Sequence, residues 1–153
     1  MTSTPVTLDR IDRKIIAILQ ADARIANVEL AARVGLSPTP CSRRVKRLED
    51  SGVITGYGAR VNQAALGNGV TVLITVRLSQ PTSEAISAFV EAVQAAPEIT
   101  QCQLVTGNID YLLTVRTRDV DALREWVMNE LKRIPAVTET ATLLVLDTVK
   151  SVE

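Results

Sequence analysis

Apolar residues recur at helical spacing through the first fifty positions of this chain. Residues 8–22 predict a first helix, because apolar side chains return there every three to four positions and Asp9 can cap the N-terminus, with Asp12 in the first turn. A second, short helix is expected to begin with Asn27 as its cap and to end where Gly35 offers a left-handed residue. The front of the chain is therefore predicted to be helical.

A third helix is predicted after the tight turn at residues 35–37. Ser37 is expected to cap it, and Pro38 suits its first position, where φ is already right and no backbone N–H is required. One side of this helix is apolar, which predicts that it packs on the other two helices. The residues on that side are Cys41, Val45 and Leu48.

The opposite face of the third helix is polar and basic. It carries Thr39, Arg43, Lys46 and Arg47, with Arg44 on one flank and Ser42 on the other. A short helix, a tight turn and a helix with such a face are typical of a helix-turn-helix, whose second helix enters the major groove of DNA. A solvated basic face on a small bundle is the alternative. The capped helix start and the short side chains near it favour the helix-turn-helix.

After the third helix the pattern changes to β-branched residues punctuated by glycine. Residues 53–62, VITGYGARVN, predict a short strand leaving the bundle, and residues 65–69, ALGNG, predict a flexible hinge. We accordingly expect a helix-turn-helix domain over residues 1–61, a hinge over 62–69 and a second domain over 70–153.

The second domain has the predicted order strand, helix, strand, strand, helix, strand. Its strands are expected at 70–78, 99–105, 111–117 and 137–149, and its helices at 83–97 and 119–135. This βαββαβ order predicts a ferredoxin-like α+β fold with both helices on one face of an antiparallel sheet. The helix residues expected to face the sheet are Ile86, Phe89, Val90, Val93, Leu123, Trp126, Val127 and Leu131.

The other face of the predicted sheet needs a cover. Both faces of the last predicted strand carry apolar side chains, with Leu143 and Val145 on one and Leu144 and Leu146 on the other. A monomer would expose a large apolar patch, so we expect two copies to pair sheet to sheet.

Composition narrows the chemistry that is open to the chain. It has no histidine, and its two cysteines, Cys41 and Cys102, lie far apart without metal-ligand spacing. We therefore expect reduced packing cysteines, no metal, no cofactor and no enzymatic activity. Residues 1–60 carry ten cations and six anions, against seven and eleven over 61–153, which favours a polyanionic partner for the first part.

Nothing in the sequence predicts contact with a membrane. No apolar run approaches the roughly 18 residues that span a bilayer, and residues 1–10 lack the basic start and apolar middle of a signal peptide. A cytoplasmic location is therefore expected.

Two segments carry a resemblance to a known family. LDRIDRKIIAILQADARIANVELAARVGLSPTPCSRRVKRLEDSGVITGY and the later LVTGNIDYLLTVR resemble the Lrp/AsnC, or feast/famine, family of transcriptional regulators, and the resemblance runs from Leu8 to about Lys150. It implies a winged helix-turn-helix domain that binds double-stranded DNA, a hinge, and a βαββαβ domain that forms homodimers and larger rings, often octamers. It further implies that a small-molecule effector, usually an amino acid, binds between the C-terminal domains of neighbouring subunits.

The resemblance also implies which residues meet DNA. Ser37 and Thr39 stand at the start of the third helix, where backbone N–H groups can meet a phosphate, while Arg43 and Lys46 project furthest toward the bases. The full set of expected DNA contacts is Ser37, Thr39, Ser42, Arg43, Arg44, Lys46 and Arg47.

The hairpin motif Gly107-Asn108-Ile109-Asp110-Tyr111 is the candidate effector site. In one interpretation it is simply a tight turn, in which Asp110 trims the turn and Tyr111 packs. In the functional interpretation, loop amides near Gly107 meet the carboxylate of a free amino acid and Asp110 accepts from its ammonium. The expected effector residues are Leu104, Thr106, Gly107, Asn108, Asp110, Tyr111, Leu143 and Val145, while Trp126 is assigned to the core.

Three functions follow as hypotheses. The first is a DNA-binding regulator whose domain geometry or assembly responds to an amino acid. The second is a DNA-architectural protein without an effector response, against which the intact Gly107 and Asp110 speak. The third is an enzyme of similar build that decarboxylates a haem-like tetrapyrrole, and the absence of histidine disfavours it.

Overall fold

The computed structural model describes residues 7–79, 82–134 and 136–150. The chain divides into two compact units, Met1–Arg60 and Val61–Glu153, and each has its own apolar core. Across the described ranges, no helix combines the length and apolar character that crossing a bilayer requires.

The N-terminal unit consists of the three predicted helices, α1 (Arg10–Ala21), α2 (Asn27–Val34) and α3 (Pro38–Asp50). Their apolar sides meet in one small core, as the helical periodicity predicts. Its buried residues are Ile15, Leu30, Ala31, Val34, Cys41 and Leu48.

The helix ends agree with the sequence in part. Asp9 caps α1 as predicted, because its side chain accepts from the Asp12 N–H while Asp12 accepts from the Asp9 N–H. Gly35 ends α2 in the left-handed region at φ 76°. The predicted cap of α2 is wrong: Asn27 is the first helical residue, and its side-chain amide donates instead to the Pro38 carbonyl at 2.9 Å. Ser37 stands at the cap position of α3 without a side-chain capping bond.

The predicted strand over residues 53–62 is wrong. This segment is irregular, because a strand needs a neighbouring chain to take its N–H and C=O groups and β-branched residues do not supply one. It is tied back to α3 by the Tyr57 hydroxyl, which donates to Glu49 Oε1 at 2.7 Å. The expected hinge contains a 3₁₀ turn, Ala64–Leu66, whose amides bond to Asn62.

The C-terminal unit has the predicted βαββαβ order and ferredoxin-like topology. Its elements are β1 (Val70–Leu78), α4 (Ser83–Ala95), β2 (Ile99–Leu104), β3 (Tyr111–Thr117), α5 (Val120–Asn129) and β4 (Val137–Leu144). The four strands form one antiparallel sheet in the order β2-β3-β1-β4. Alternate residues of the central strands, such as Val72 and Leu113, are buried against the two helices.

Three predicted details of this unit are wrong. Val90 of α4 is exposed rather than inward-facing. The second helix ends at Asn129, and its last turn tightens into a 3₁₀ turn, Leu131–Arg133; Pro135, its predicted last residue, lies outside the described residues. The final strand, predicted to run to residue 149, ends at Leu144. Its partner β1 begins at Val70, and the last bond between the two chains runs from the Val145 N–H to the Thr71 carbonyl.

The sheet face opposite the helices is called the open face here. Its residues on adjacent strands are Leu73, Thr75 and Arg77 of β1, Leu112 and Thr114 of β3, and Glu139, Ala141 and Leu143 of β4. Leu143 and Leu144 are both more than half exposed, so each face of the end of β4 carries uncovered apolar surface.

Candidate functional site

Five of the seven residues predicted to meet DNA are exposed and take no part in the ion pairs of the described residues, one at the cap position of α3 and four along its outer face. They are Ser37, Thr39, Ser42, Arg43 and Lys46. Within the described part of the chain, neither Arg43 nor Lys46 has an ion-pair partner. Two free cations and three short polar side chains therefore stand together at one exposed helix face, which can accept a polyanion.

Arg44 and Arg47 are placed differently from the other cations of α3. Arg44 Nη1 donates to Asp9 Oδ2 at 2.6 Å and to Asp12 Oδ1 at 2.9 Å. Arg47 Nη2 donates to Asp12 Oδ2 at 2.5 Å. Arg44 and Arg47 are both predicted to contact DNA, and the carboxylates at the start of α1 therefore compete with DNA phosphates for them.

Asp9, one of the two aspartates at the start of α1, keeps its charge at neutral pH. The backbone N–H of Asp12, followed by the side chain of Arg44, lowers the pKa of Asp9 to about 2. The same bonds to Asp9 and Asp12 raise the pKa of the Arg44 guanidinium. The Asp9 carboxylate and the Arg44 guanidinium are therefore both ionised at neutral pH, and their ion pair persists there.

The segment after α3 is anchored by a neutral tyrosine. Partial burial, followed by the bond to Glu49, raises the pKa of Tyr57 to about 12. The hydroxyl therefore keeps its proton and remains the donor in the bond that ties this segment to α3.

Asp110 of the candidate effector loop is used within the chain. Its Oδ2 accepts from the Leu78 N–H at 2.7 Å, next to the register shift between Arg77 and Leu78. Its backbone N–H donates to the Val76 carbonyl at 2.9 Å. Asp110 thus pins the β2–β3 loop to β1, a task that the sequence analysis anticipated only as trimming of the turn.

The other predicted effector residues do not all gather at one place. Tyr111 is buried in the core with its ring centroid 4.5 Å from that of Phe89, as the packing interpretation expects. Leu104 and Thr106 are exposed at the end of β2 and in the loop, and Gly107 has φ 129°. Leu143 lies on the open face, and Val145 just past it is half-buried.

One hollow of about 400 Å³ lies on the open face beside the loop. Its lining residues are Thr75, Arg77, Asn108, Ile109, Glu139, Thr140 and Ala141. Asn108 is the predicted effector residue among them. Arg77 and Glu139 are not among the residues predicted from the sequence, although Arg77 alternates with the buried residues of β1 and therefore belongs on the open face.

Arg77 and Glu139 form an ion pair at the rim of this hollow. Arg77 Nη1 lies 3.1 Å from Glu139 Oε2, and both side chains are more than half exposed. An exposed pair of this kind contributes at most about 1 kcal/mol to stability. The hollow therefore presents one positive and one negative group that can change partners at little cost.

The cysteines are free, and only one of them packs as predicted. Burial raises the pKa of the Cys41 thiol, which fills the core of the N-terminal unit, whereas Cys102 is exposed on the edge strand β2. In the ranges that the structure describes, no three acidic, cysteine or histidine side chains come together as a metal site.

Two family models match the chain, one over each unit. Residues 8–55 match a winged helix-turn-helix DNA-binding model, and residues 71–152 match the Lrp/AsnC ligand binding domain. The leucine-responsive regulatory proteins of Klebsiella pneumoniae and Escherichia coli K12 are each 46% identical over 143 residues, covering 94% of this chain and 87% of theirs. These relatives are regulators of transcription rather than enzymes.

Solved structures show the same likeness. A transcriptional regulator of Neisseria meningitidis in complex with L-methionine has a TM-score of 0.91 and 36% identity, with 95% of this chain and 94% of that chain covered. AsnC of Escherichia coli has a TM-score of 0.87 and 30% identity, with 95% and 97% covered.

Proposed function

The chain belongs to the Lrp/AsnC family of transcriptional regulators, and from that premise we propose that α3 reads duplex DNA while an amino acid binds at the open-face hollow. The DNA-binding part of the proposal is supported by two exposed cations on α3, Arg43 and Lys46, which have no ion-pair partner among the described residues. They stand on a helix that follows the tight turn at Gly35, the geometry in which a recognition helix enters the major groove.

The two cations suit different contacts. The planar guanidinium of Arg43 can bond to both acceptors on the major-groove edge of guanine, which discriminates one base pair from the others. Lys46, a compact point charge, suits the neutralisation of backbone phosphate. Ser37, Thr39 and Ser42 are short enough to let the helix approach the groove, and Ser37 and Thr39 stand at the helix start, where backbone N–H groups suit a phosphate.

A single subunit makes too few base contacts to select a site in a genome. We propose that the apolar ends of β4 and the open face join two copies, and that pairs assemble further, as rings up to an octamer. Joined subunits bind two half-sites about one helical turn apart, which converts weak individual contacts into tight binding. DNA binding of this kind takes place where the chromosome is, in the cytoplasm.

The hollow beside the loop supplies the chemistry that a free amino acid needs. An amino acid carries a carboxylate and an ammonium, and Arg77 and Glu139 offer a partner for each. Asn108 adds an amide at the loop side, and exposed Leu143 lies two residues along β4 from Ala141. The remaining predicted residues near the loop, Leu104 and Thr106, would contact the effector from a neighbouring subunit.

One amino acid of the twenty is expected to change both the stability of the protein and its DNA affinity. A ligand present at 100 times its Kd stabilises the folded state by about 2.7 kcal/mol, which a thermal-shift screen detects. The screen is followed by fluorescence anisotropy on a labelled duplex, with and without the selected amino acid. If no amino acid alters either measurement while DNA still binds, the chain is an architectural DNA-binding protein and the effector half of the proposal is wrong.

Asp110→Ala is expected to abolish the amino-acid response and to leave DNA binding intact. The variant removes the acceptor for the Leu78 N–H, so the loop that carries Asn108 is no longer held against β1. Asp110→Asn keeps an oxygen acceptor and is expected to retain the response. Isothermal titration calorimetry with both variants decides between roles: equal loss in the two would mean that the Asp110 carboxylate itself contacts the ammonium.

A further inference from the structure

Asp12 is a buried carboxylate that the proposed function leaves unexplained. Its side chain is 1% exposed, although it stands in the first turn of a surface helix. Within the described residues it is the one buried side chain that carries a charge. A charge is placed in such a position only when it is paired and hydrogen-bonded.

Both oxygens of Asp12 are occupied. Oδ1 accepts from Arg44, while Oδ2 accepts from Arg47 and from the backbone N–H of Asp9. Both arginines come from α3, more than thirty positions along the chain. The cap of α1 is therefore also the partner of the recognition helix.

The angular positions on α3 give this pairing a consequence for DNA. At about 100° per residue, Arg44 and Arg47 lie about 60° apart, and Arg43 lies between Arg47 and Lys46. Because Arg44 and Arg47 lie at different angles around α3 and both bond to the Asp12 carboxylate, the two bonds fix the rotation of α3 about its own axis. With that rotation fixed, Arg43 and Lys46 point away from the bundle.

The pairing also decides which cations remain for phosphate. If Arg44 and Arg47 turned to DNA, Asp12 would keep a buried charge with only the Asp9 N–H as its partner, and a contact made in water would not compensate for the loss of both cations. Arg47 is half exposed, so burial does not prevent it from leaving Asp12 for a phosphate. What prevents this is the cost of leaving the buried Asp12 carboxylate without a cationic partner.

We propose that Asp12 is a positioning residue for DNA readout, which withholds Arg44 and Arg47 from the phosphates and uses them to orient α3. The inference rests on the proposed function, because it divides the work among the cations of the same interface. Asp9 supports the arrangement as the second acceptor for Arg44.

The first test compares Arg47→Gln with Lys46→Gln in the full chain. DNA affinity is measured by anisotropy over a salt series, on a duplex that the wild-type protein selects from a random pool and on a scrambled duplex. The plot of log K against log salt has a negative slope, and each lost phosphate contact reduces the magnitude of that slope by about 0.9. Lys46→Gln is expected to make the plot shallower by that amount. Arg47→Gln is expected to leave the slope unchanged and to reduce the preference for the selected duplex.

The second test compares Asp12→Asn with Asp22→Asn, a matched control at the other end of α1. Asp22 Oδ1 accepts from the Arg24 N–H, which an asparagine also satisfies, and no cation is released there. Asp12→Asn removes the charge that holds Arg47, while Arg44 keeps its bond to Asp9, so the slope is expected to steepen by about 0.9 as Arg47 reaches a phosphate. Its preference for the selected duplex is expected to fall by about 5- to 150-fold, the value of one good base contact.

The outcomes distinguish a failure of the positioning role of Asp12 from a failure of the proposed DNA-binding function. A wild-type chain that binds neither duplex at low salt overturns the proposed function. If the wild-type chain binds and the salt plot of Arg47→Gln is as shallow as that of Lys46→Gln, only the positioning role of Asp12 is overturned. Circular dichroism of Asp12→Asn checks that it is folded, and if it is not, the Arg47 and Lys46 pair decides alone.

Discussion

Arg43→Ala is expected to weaken binding to the selected duplex by about 1–3 kcal/mol for each half-site, the value of one bidentate arginine–guanine contact. A pair of subunits that lose one contact each would lose about 2–6 kcal/mol together, since well-separated contacts are nearly additive. Binding to a scrambled duplex should fall far less, because that binding depends on phosphates. Anisotropy titrations on both duplexes measure the two losses.

Folding is not expected to change in this variant. Arg43 is exposed and carries none of the ion pairs of the described residues, so its removal breaks no internal contact. Arg124→Ala is the matched control, since it removes the same charge from an exposed position on α5 in the C-terminal unit. Equal affinity of Arg43→Ala and Arg124→Ala for the selected duplex would place the recognition surface elsewhere.

Phe89→Ala is expected to destabilise the C-terminal unit by about 3–5 kcal/mol. Phe89 is fully buried, and its ring lies against that of Tyr111, so truncation leaves a cavity that the sheet cannot close. Most domains have a free energy of unfolding of about 5–15 kcal/mol, so this loss is a large share of the total. The single tryptophan of the chain, Trp126, lies in the same core, so its fluorescence during urea unfolding reports on this unit.

Val90→Ala supplies the comparison on the same helix. Val90 is 36% exposed and lies outside the buried core, so shortening its side chain leaves no closed cavity, and a loss of less than about 1 kcal/mol is expected. If the midpoints of the two variants coincide, Phe89 does not hold the helices on the sheet as the structure indicates.

The chain's own periodicity determined most of the architecture. The three front helices and the βαββαβ order follow from spacings of 3.6 and 2 residues, which are local properties. The exposed cations of α3 follow in the same way, because the angle between Arg43 and Leu48 on a helix is fixed by their separation. Asp9 and Gly35 were identifiable as helix ends because the chemistry of capping acts over one turn.

The structure differs from the sequence-based predictions where the hydrogen-bonding partner of a segment lies far along the chain. Residues 53–62 have the composition of a strand and no strand to pair with, and β4 stops where β1 no longer runs beside it. Composition states a preference for extended backbone, but the hydrogen-bonding neighbour that makes a strand is a matter of tertiary placement.

The roles of individual charged residues were also decided by tertiary structure. Arg44 and Arg47 look like Arg43 in sequence, yet packing of α3 on α1 brings them to Asp12, while sheet register brings Arg77 beside Glu139. Asp110 meets the Leu78 N–H for the same reason. A sequence determines which side chains can form ion pairs and hydrogen bonds. Which of them meet is decided by packing, because a hydrogen bond forms only when donor and acceptor come within about 3 Å of each other.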